Sequence, residues 1–177
     1  SIDKGLQPFC GIPMVRHVMQ RFAPQVQQLM ISANQNLETY ASFGVPVWPD
    51  AMPDFAGPLA GLQTGLMHCT TSYLATAPCD SPFLPEDFVA CMRTALEAQN
   101  ADMAIAVTGA GAERQVHPVF CLLKTSLLHH LAAYLRDGGR KMQAWYAPLK
   151  VAQVHFTDEA AFRNINTLEE LRKMEST

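Results

Sequence analysis

Apolar residues along this chain follow two spacings, which predict strands separated by helices. Short apolar runs bounded by proline or glycine predict buried strands, whereas apolar residues three or four positions apart predict helices. The predicted strands cover 26–32, 45–48, 73–77, 103–107, 116–123 and 151–156. The predicted helices cover 13–22, 59–67, 85–98 and 126–135, and a last one follows Thr167, whose spacing from Glu170 is that of a capping box.

Strands that alternate with helices predict an α/β fold, arranged as a three-layer α/β/α sandwich around a mainly parallel sheet. The chain has 177 residues, of which 49% are hydrophobic, and this is enough for a core without disulfide or metal support. We therefore expect a single domain over 1–177.

Charge and composition exclude several function classes. The formal net charge is -3, which argues against a nucleic-acid-binding protein because such proteins carry a basic patch or stripe. No apolar run approaches the ~20 residues that span a bilayer, and no signal peptide is visible. The five cysteines form no Cys-x-x-Cys pair, which favours free thiols and a cytoplasmic location.

Polar side chains follow predicted strands at several points. Asn34, Asp50, Asp80 and Asn164 all lie at such exits. The carboxyl ends of parallel strands share one edge of the sheet, where ligands bind in open α/β folds. We therefore expect these four side chains to converge, although each residue type is also an ordinary turn former.

Asp80 is the strongest candidate for chemistry. It follows the apolar run 73–77 and a proline, so its carboxylate is placed just past a buried strand. Mg²⁺ typically takes one or two carboxylates together with substrate phosphates and water, which makes Asp80 a candidate Mg²⁺ ligand. The alternative is that Asp80 caps the next helix or forms a turn.

Two glycine-containing segments are candidates for binding phosphate or a nucleotide base. Lys4 beside Gly5 suits a phosphate-binding loop, because the ammonium is a point charge and glycine permits close backbone approach. Gly57 and Gly61 bound the start of a predicted helix, where backbone N–H groups are available to a ligand. The alternatives are a surface lysine and a tight turn.

Several motifs together resemble those of a known family. They occur in the family's order over nearly the whole chain: Asp3-Lys4-Gly5-Leu6, Asn34, Gly57-Pro58-Leu59-Ala60-Gly61, Pro78-Cys79-Asp80-Ser81-Pro82, His117-Pro118 and Phe162-Arg163-Asn164-Ile165-Asn166-Thr167. The sequence resembles the molybdenum cofactor guanylyltransferases of the nucleotidyltransferase superfamily. The resemblance implies a Rossmann-like nucleotidyltransferase sheet.

The resemblance also implies a reaction. Members of the family transfer GMP from GTP to the terminal phosphate of molybdopterin and release pyrophosphate, and their product passes to molybdoenzymes or to the chaperones of those enzymes. By resemblance, the nucleotide is held by Lys4, Asn34, Asp50, Gly57, Gly61 and Asp80, with Lys4 and Asp80 catalytic and Asp80 binding Mg²⁺. Asn164 and Asn166 would lie on the molybdopterin side.

The sequence departs from the family pattern at its start. Family members begin with a strand and a glycine-rich loop ahead of Asp-Lys-Gly-Leu, whereas this chain begins at Ser1. We expect the complete protein to carry that strand and loop before Ser1. The alternative functions are a CTP-using molybdopterin cytidylyltransferase, a sugar-1-phosphate nucleotidyltransferase and a non-catalytic nucleotide-binding protein.

Overall fold

The computed structural model describes residues 2–52, 57–165 and 167–176. Strands within these ranges are short at the start of the chain and longer in its second half. They are β1 (Pro8–Phe9), β2 (Ile12–Pro13), β3 (Ile31–Ser32), β4 (Val47–Trp48), β5 (Tyr73–Thr76), β6 (Met103–Thr108), β7 (Gln115–Lys124) and β8 (Val151–His155).

Helices separate most of these strands. They are α1 (Met14–Phe22), α2 (Leu37–Ala41), α3 (Pro58–His68), α4 (Phe88–Ala98), α5 (Leu128–Arg136), α6 (Met142–Tyr146) and α7 (Leu168–Glu175). Short 3₁₀ turns include Lys4–Leu6, which precedes β1. The last helix begins with the predicted capping box: Thr167 Oγ1 accepts the Glu170 N–H, and the Glu170 carboxylate accepts the Thr167 N–H.

The main sheet has four strands in the order β5-β7-β6-β8. Strand β7 is antiparallel to both of its neighbours, and β6 is parallel to β8. Three of the four strands therefore run in the same direction and share a carboxyl edge. Strands β3 and β4 form a separate parallel pair, and β1 and β2 form a small hairpin.

Two hydrophobic cores cover the two faces of the sheet. On one face, Ala104 and Ala106 of β6 pack with apolar residues of α1 and α4. On the other face, Met103 and Ile105 pack with apolar residues of α3, α5 and α6. The alternation along β6 follows from the period of two in a strand, and it produces three layers. The predicted three-layer α/β/α sandwich is confirmed.

The prediction of a strand over 26–32 was wrong in extent, because β3 covers only Ile31 and Ser32. Val26 and Leu29 pack against one core and Met30 against the other without strand pairing, so their apolar character reflects burial alone. The β1–β2 hairpin, α2 and α6 were not predicted; the two strands have two residues each and the two helices have five. None of the helices in the described ranges is long and apolar enough to cross a membrane.

Phe88 tests the packing of α4 on the sheet. Its side chain is fully buried and its ring contacts those of Phe22, Phe120 and Phe156. We expect Phe88→Ala to lower the free energy of unfolding by about 3–5 kcal/mol, the usual cost of truncating a buried aromatic residue. Urea unfolding measures this cost, and the partly buried neighbour Val89 provides the control Val89→Ala. Similar losses for the two variants would contradict the assigned packing.

Candidate active site

A cavity of about 1060 Å³ lies between the β3–β4 pair and the main four-stranded sheet. Strand β3 lies on one side of the cavity and β5 on the other, and each is the edge strand of its own sheet on that side. Apolar residues from the two helical layers close the cavity above and below, including Val18 of α1 and Leu62 of α3. The cavity is therefore flanked by two edge strands and covered by helices on both faces, as a central strand of a sheet would be.

Polar residues line the same cavity beyond the strands. They include Ser32 and Asp80, which lie at or after the carboxyl ends of β3 and β5, together with Asn164 from the loop before α7. Gly61 of α3 is also part of the lining, and a side chain at its position would meet Ser32 Oγ at 3.5 Å. Of the four side chains expected to converge, the structure brings Asp80 and Asn164 to this cavity, whereas Asn34 and Asp50 are not part of its lining. Asn164 follows the 3₁₀ turn Glu159–Phe162 and not a strand.

The pKa of the Asp80 carboxyl lies above its ordinary value. Partial burial raises the pKa of its carboxyl, while a backbone hydrogen bond and the nearby Lys4 ammonium lower it. Helix α4 begins at Phe88 with Asp87 as its N-cap, so Asp80 does not cap that helix. The carboxylate therefore lies in a turn at the carboxyl edge of the sheet, close to a cation.

Lys4 begins the 3₁₀ turn Lys4–Leu6, and this turn is packed against the segment that carries Asp80. Gly5 is buried, and a side chain there would come within 2.9 Å of Cys79 Sγ. Lys4 also lines a small cavity of about 70 Å³ together with Ile165 and Thr167. The lysine therefore lies between the Asp80 turn and the loop that contains Asn164.

Asn34 and Asp50 bind each other. Asn34 Nδ2 donates to Asp50 Oδ2 at 2.8 Å, and the Asp50 N–H donates to Asn34 Oδ1 at 2.9 Å. Ser32 Oγ lies 3.4 Å from Asp50 Oδ1 and links this pair to the cavity lining. The structure therefore brings Asn34 and Asp50 together at the exits of β3 and β4.

Gly57 is the N-cap of α3 and has φ +151°, a backbone conformation that residues other than glycine rarely adopt. Its carbonyl accepts the Ala60 N–H at 3.2 Å. Gly61 lies one turn further into the helix, beside Ser32. The glycine-bounded segment thus opens a helix, as predicted, and Gly61 faces the carboxyl end of β3.

The structure also identifies residues that the sequence analysis did not single out. Ser32 lines the cavity, and Tyr40 of α2 donates to the Asp3 carboxylate beside Lys4. No sequence signal identifies Tyr40, because α2 was not predicted and the burial of this residue is visible only in the structure. The predicted residue Asn166 lies outside the described residues.

Comparisons with known proteins place this geometry in a family. The profile described as "MobA-like NTP transferase domain" matches residues 1–154. A molybdenum cofactor guanylyltransferase of Cupriavidus necator is 57% identical over 175 residues, which are 98% of this chain and 88% of that protein. The enzyme of the same name from Bordetella pertussis is 48% identical over 99% of this chain and 89% of that protein.

The chain belongs to the molybdenum cofactor guanylyltransferases. It is therefore a nucleotidyltransferase, as the sequence motifs indicated. The molybdopterin-guanine dinucleotide biosynthesis protein A of Archaeoglobus fulgidus superposes with a TM-score of 0.76 at 20% identity, covering 99% of this chain and 90% of that one. A 2-C-methyl-D-erythritol 4-phosphate cytidylyltransferase of Thermus thermophilus superposes with a TM-score of 0.75 at 17% identity, covering 98% and 92%. These structures confirm the nucleotidyltransferase fold.

The raised pKa of Asp80 gives a prediction for stability. The folded protein holds this proton more tightly than the unfolded chain, so stability falls as pH rises from the usual carboxyl pKa through the folded pKa. Ionised Asp80 therefore opposes folding at neutral pH. We expect Asp80→Asn to raise the free energy of unfolding at pH 7 and to have no such advantage at pH 3.

Urea unfolding with EDTA present measures this difference. Asp137→Asn is the control, because Asp137 is exposed at the end of α5. A less stable Asp80→Asn protein at pH 7 would show that the carboxylate stabilises its turn, and would contradict the electrostatic assignment.

Proposed function

We propose that this chain transfers GMP from GTP to the terminal phosphate of molybdopterin and releases pyrophosphate, with Asp80 and Lys4 acting on the GTP phosphates. The observation that carries the proposal is the proximity of Lys4 and Asp80 at the carboxyl edge of the sheet, beside the large cavity. Membership of the family supports the same reaction. The two residues come from distant parts of the chain.

The residues around Asp80 fit a divalent cation held jointly with substrate. The described part of the chain contains no group of three or more His, Cys, Asp or Glu side chains that would hold a metal ion alone. A single carboxylate completed by phosphate oxygens and water suits Mg²⁺, whose sites are usually of this kind. When bound, Mg²⁺ supplies positive charge to the phosphate oxygens. Asp80 is its proposed protein ligand.

The chain's own task in this reaction is to bring two anions together. Lys4 contributes a compact positive charge toward the triphosphate. The acceptor phosphate has a second pKa near ~6, so it is mostly a dianion at neutral pH and needs no general base. Positioning and charge neutralisation are therefore the main catalytic contributions, and Lys4 and Asp80 are the residues that provide them.

The remaining predicted residues divide between the two substrates. Asn34 and Asp50 hold the nucleoside in this proposal, and their mutual hydrogen bonds fix them at the exits of β3 and β4. Gly57 and Gly61 lie against the guanine, where the lack of a side chain permits close approach. Asn164 lines the cavity from the loop before α7 and contacts molybdopterin, and Asn166 is assigned to the same side by resemblance.

We further infer that the cavity between β3 and β5 takes a β-strand from a segment before Ser1, which completes a single domain. Ile31 and Ala33 direct their N–H groups to β4, so Ser32 directs its N–H toward the cavity. The chain itself enters at the carboxyl edge, where Asp3 contacts Asn36 and Tyr40. A strand that filled the cavity parallel to β3 and β5 would end at this same edge.

Hydrogen exchange tests the added strand. In a chain extended before Ser1, as the longer relatives allow, we expect slow exchange of the Ser32 amide and of the β5 amides that face the cavity. In residues 1–177 we expect the same amides to exchange quickly, because an unpaired edge is open to water. Amides within β6 are the control, since this strand is paired on both sides. Equal exchange in the two chains would contradict the inference.

Activity measurements test the assigned residues in the extended chain. We expect Asp80→Asn to lower kcat for pyrophosphate release by about 10²–10³-fold, as for the loss of one preorganised electrostatic group. Lys4→Ala should mainly raise the KM for GTP. Lys150→Ala and Asp137→Asn are controls that alter exposed charges elsewhere.

A nucleotide panel separates the alternatives. Preference for GTP over CTP, ATP and UTP supports the proposal, because a site built for one base edge rejects another strongly. Preference for CTP with molybdopterin would identify a cytidylyltransferase instead. Nucleotide binding without turnover would favour a non-catalytic protein.

A further inference from the structure

The Asp3 carboxylate is held at both oxygens by side chains from another part of the chain. Tyr40 Oη donates to Asp3 Oδ1 at 2.6 Å, and Asn36 Nδ2 donates to Asp3 Oδ2 at 3.0 Å. The Asp3 carbonyl also accepts the Leu6 N–H at 3.1 Å, which closes the turn that begins at Lys4. The residue before Lys4 is therefore fixed at three points.

Tyr40 is a rigid anchor for this contact. Its side chain is only 3% exposed and packs with Val15 and Ile31 in the core beneath β3. Burial, and next the Asp3 hydrogen bond, raise the pKa of Tyr40 well above its usual range, so the hydroxyl keeps its proton and donates. The position of Asp3 is thus set by the core beside β3 and not by the three-residue turn itself.

The other side of the turn contacts the segment that carries Asp80. A side chain at Gly5 would come within 2.6 Å of Tyr40 Oη and 2.9 Å of Cys79 Sγ, so the Gly5 backbone fills the space between them. Lys4 is therefore held between Asp3, which is bonded to Tyr40, and Gly5, which is packed on Cys79. These contacts fix the backbone of Lys4 relative to the backbone of Asp80.

We propose that Tyr40 and Asn36 are positioning residues, which act through Asp3 to hold Lys4 where it meets the triphosphate of the nucleotide bound at Asp80. We call the group Asp3, Asn36 and Tyr40 the Asp3 clamp. This inference rests on the proposed role of Lys4. A lysine has a long flexible side chain, and reacting groups lose about 10²-fold in rate when displaced by 1 Å. A fixed backbone at Lys4 limits that displacement.

The clamp also explains why so short a turn carries so many contacts. The Lys4–Leu6 turn is a single 3₁₀ turn whose own backbone bonds are Leu6 N–H to Asp3 and Gln7 N–H to Lys4. Such a turn has little stability of its own. Attachment to Tyr40, 37 positions away in the chain, transfers the rigidity of the core to the lysine.

A double-mutant cycle separates positioning from simple stabilisation. The change is Tyr40→Phe, which removes the hydroxyl and keeps the buried ring, introduced into the extended chain and into its Lys4→Ala variant. If the clamp acts through Lys4, we expect Tyr40→Phe to raise the KM for GTP about tenfold, the effect of one hydrogen bond to a charged group. In the Lys4→Ala background it should have no further effect, because coupled residues are not additive.

The control is Tyr134→Phe, which removes a hydroxyl bonded to the Lys141 carbonyl at 2.9 Å, far from Lys4 in the chain. We expect no change in KM for this variant. An equal rise in KM for Tyr40→Phe in the two backgrounds would overturn the proposal, and so would an unchanged KM.

A second variant covers the case in which Tyr40→Phe does not fold. Asn36 has φ +55°, so Asn36→Gly removes the amide and keeps the left-handed backbone. The same cycle with Lys4→Ala applies, with a smaller expected rise of a few-fold, since this bond is longer. Additive effects would again overturn the clamp.

Calorimetric titration with GTP and Mg²⁺ distinguishes failure of this inference from failure of the proposed function. If GTP binding weakens in Tyr40→Phe only when Lys4 is present, the clamp holds even where no GMP transfer to molybdopterin is detected. If transfer occurs but the two substitutions are additive in both binding and KM, the function holds and the clamp does not.

Discussion

Strand β6 is the constraint on which the rest of the structure depends. All six of its residues are buried, and it is paired with β7 on one side and β8 on the other. Because side chains alternate along a strand, Met103 and Ile105 pack under one helical layer and Ala104 and Ala106 under the other. The small alanines admit the large aromatic residues of the first core, including Phe88. Strand β6 therefore positions both helical layers, and its pairing sets the direction in which β7 and β8 run.

The candidate active site follows from that direction. Segments that are distant in sequence meet at the carboxyl edge: Asp80 lines the cavity after β5, Lys4 lies near Asp80, and the Asn34–Asp50 pair follows β3 and β4. The two sides are attached to different sheets, since β3 and β4 pair only with each other within the described residues. The cavity between them is thus central to both the fold and the site.

Asp80 illustrates the conflict between folding and function. Partial burial opposes its ionisation, so the ionised carboxylate is less stable in the folded protein than in water. Strain of this kind is common at functional sites, where stability is lower than the fold alone would allow. Lys4 offsets part of the cost, and its place beside Asp80 depends on contacts made by Gly5 and Asp3.

The sequence by itself determined the order of the longer strands and helices, the layer architecture and the family, because apolar spacing and short motifs are local properties. It predicted helix α3 and strands β6 and β8 nearly to the residue, and it identified Asp80 from its position after β5. Only the tertiary structure decided that 26–32 is mostly unpaired, that Asn34 binds Asp50, and that Tyr40 holds Asp3. These features depend on which strand edges and which side chains from distant segments meet in space. A pattern of residues along the chain does not carry that information.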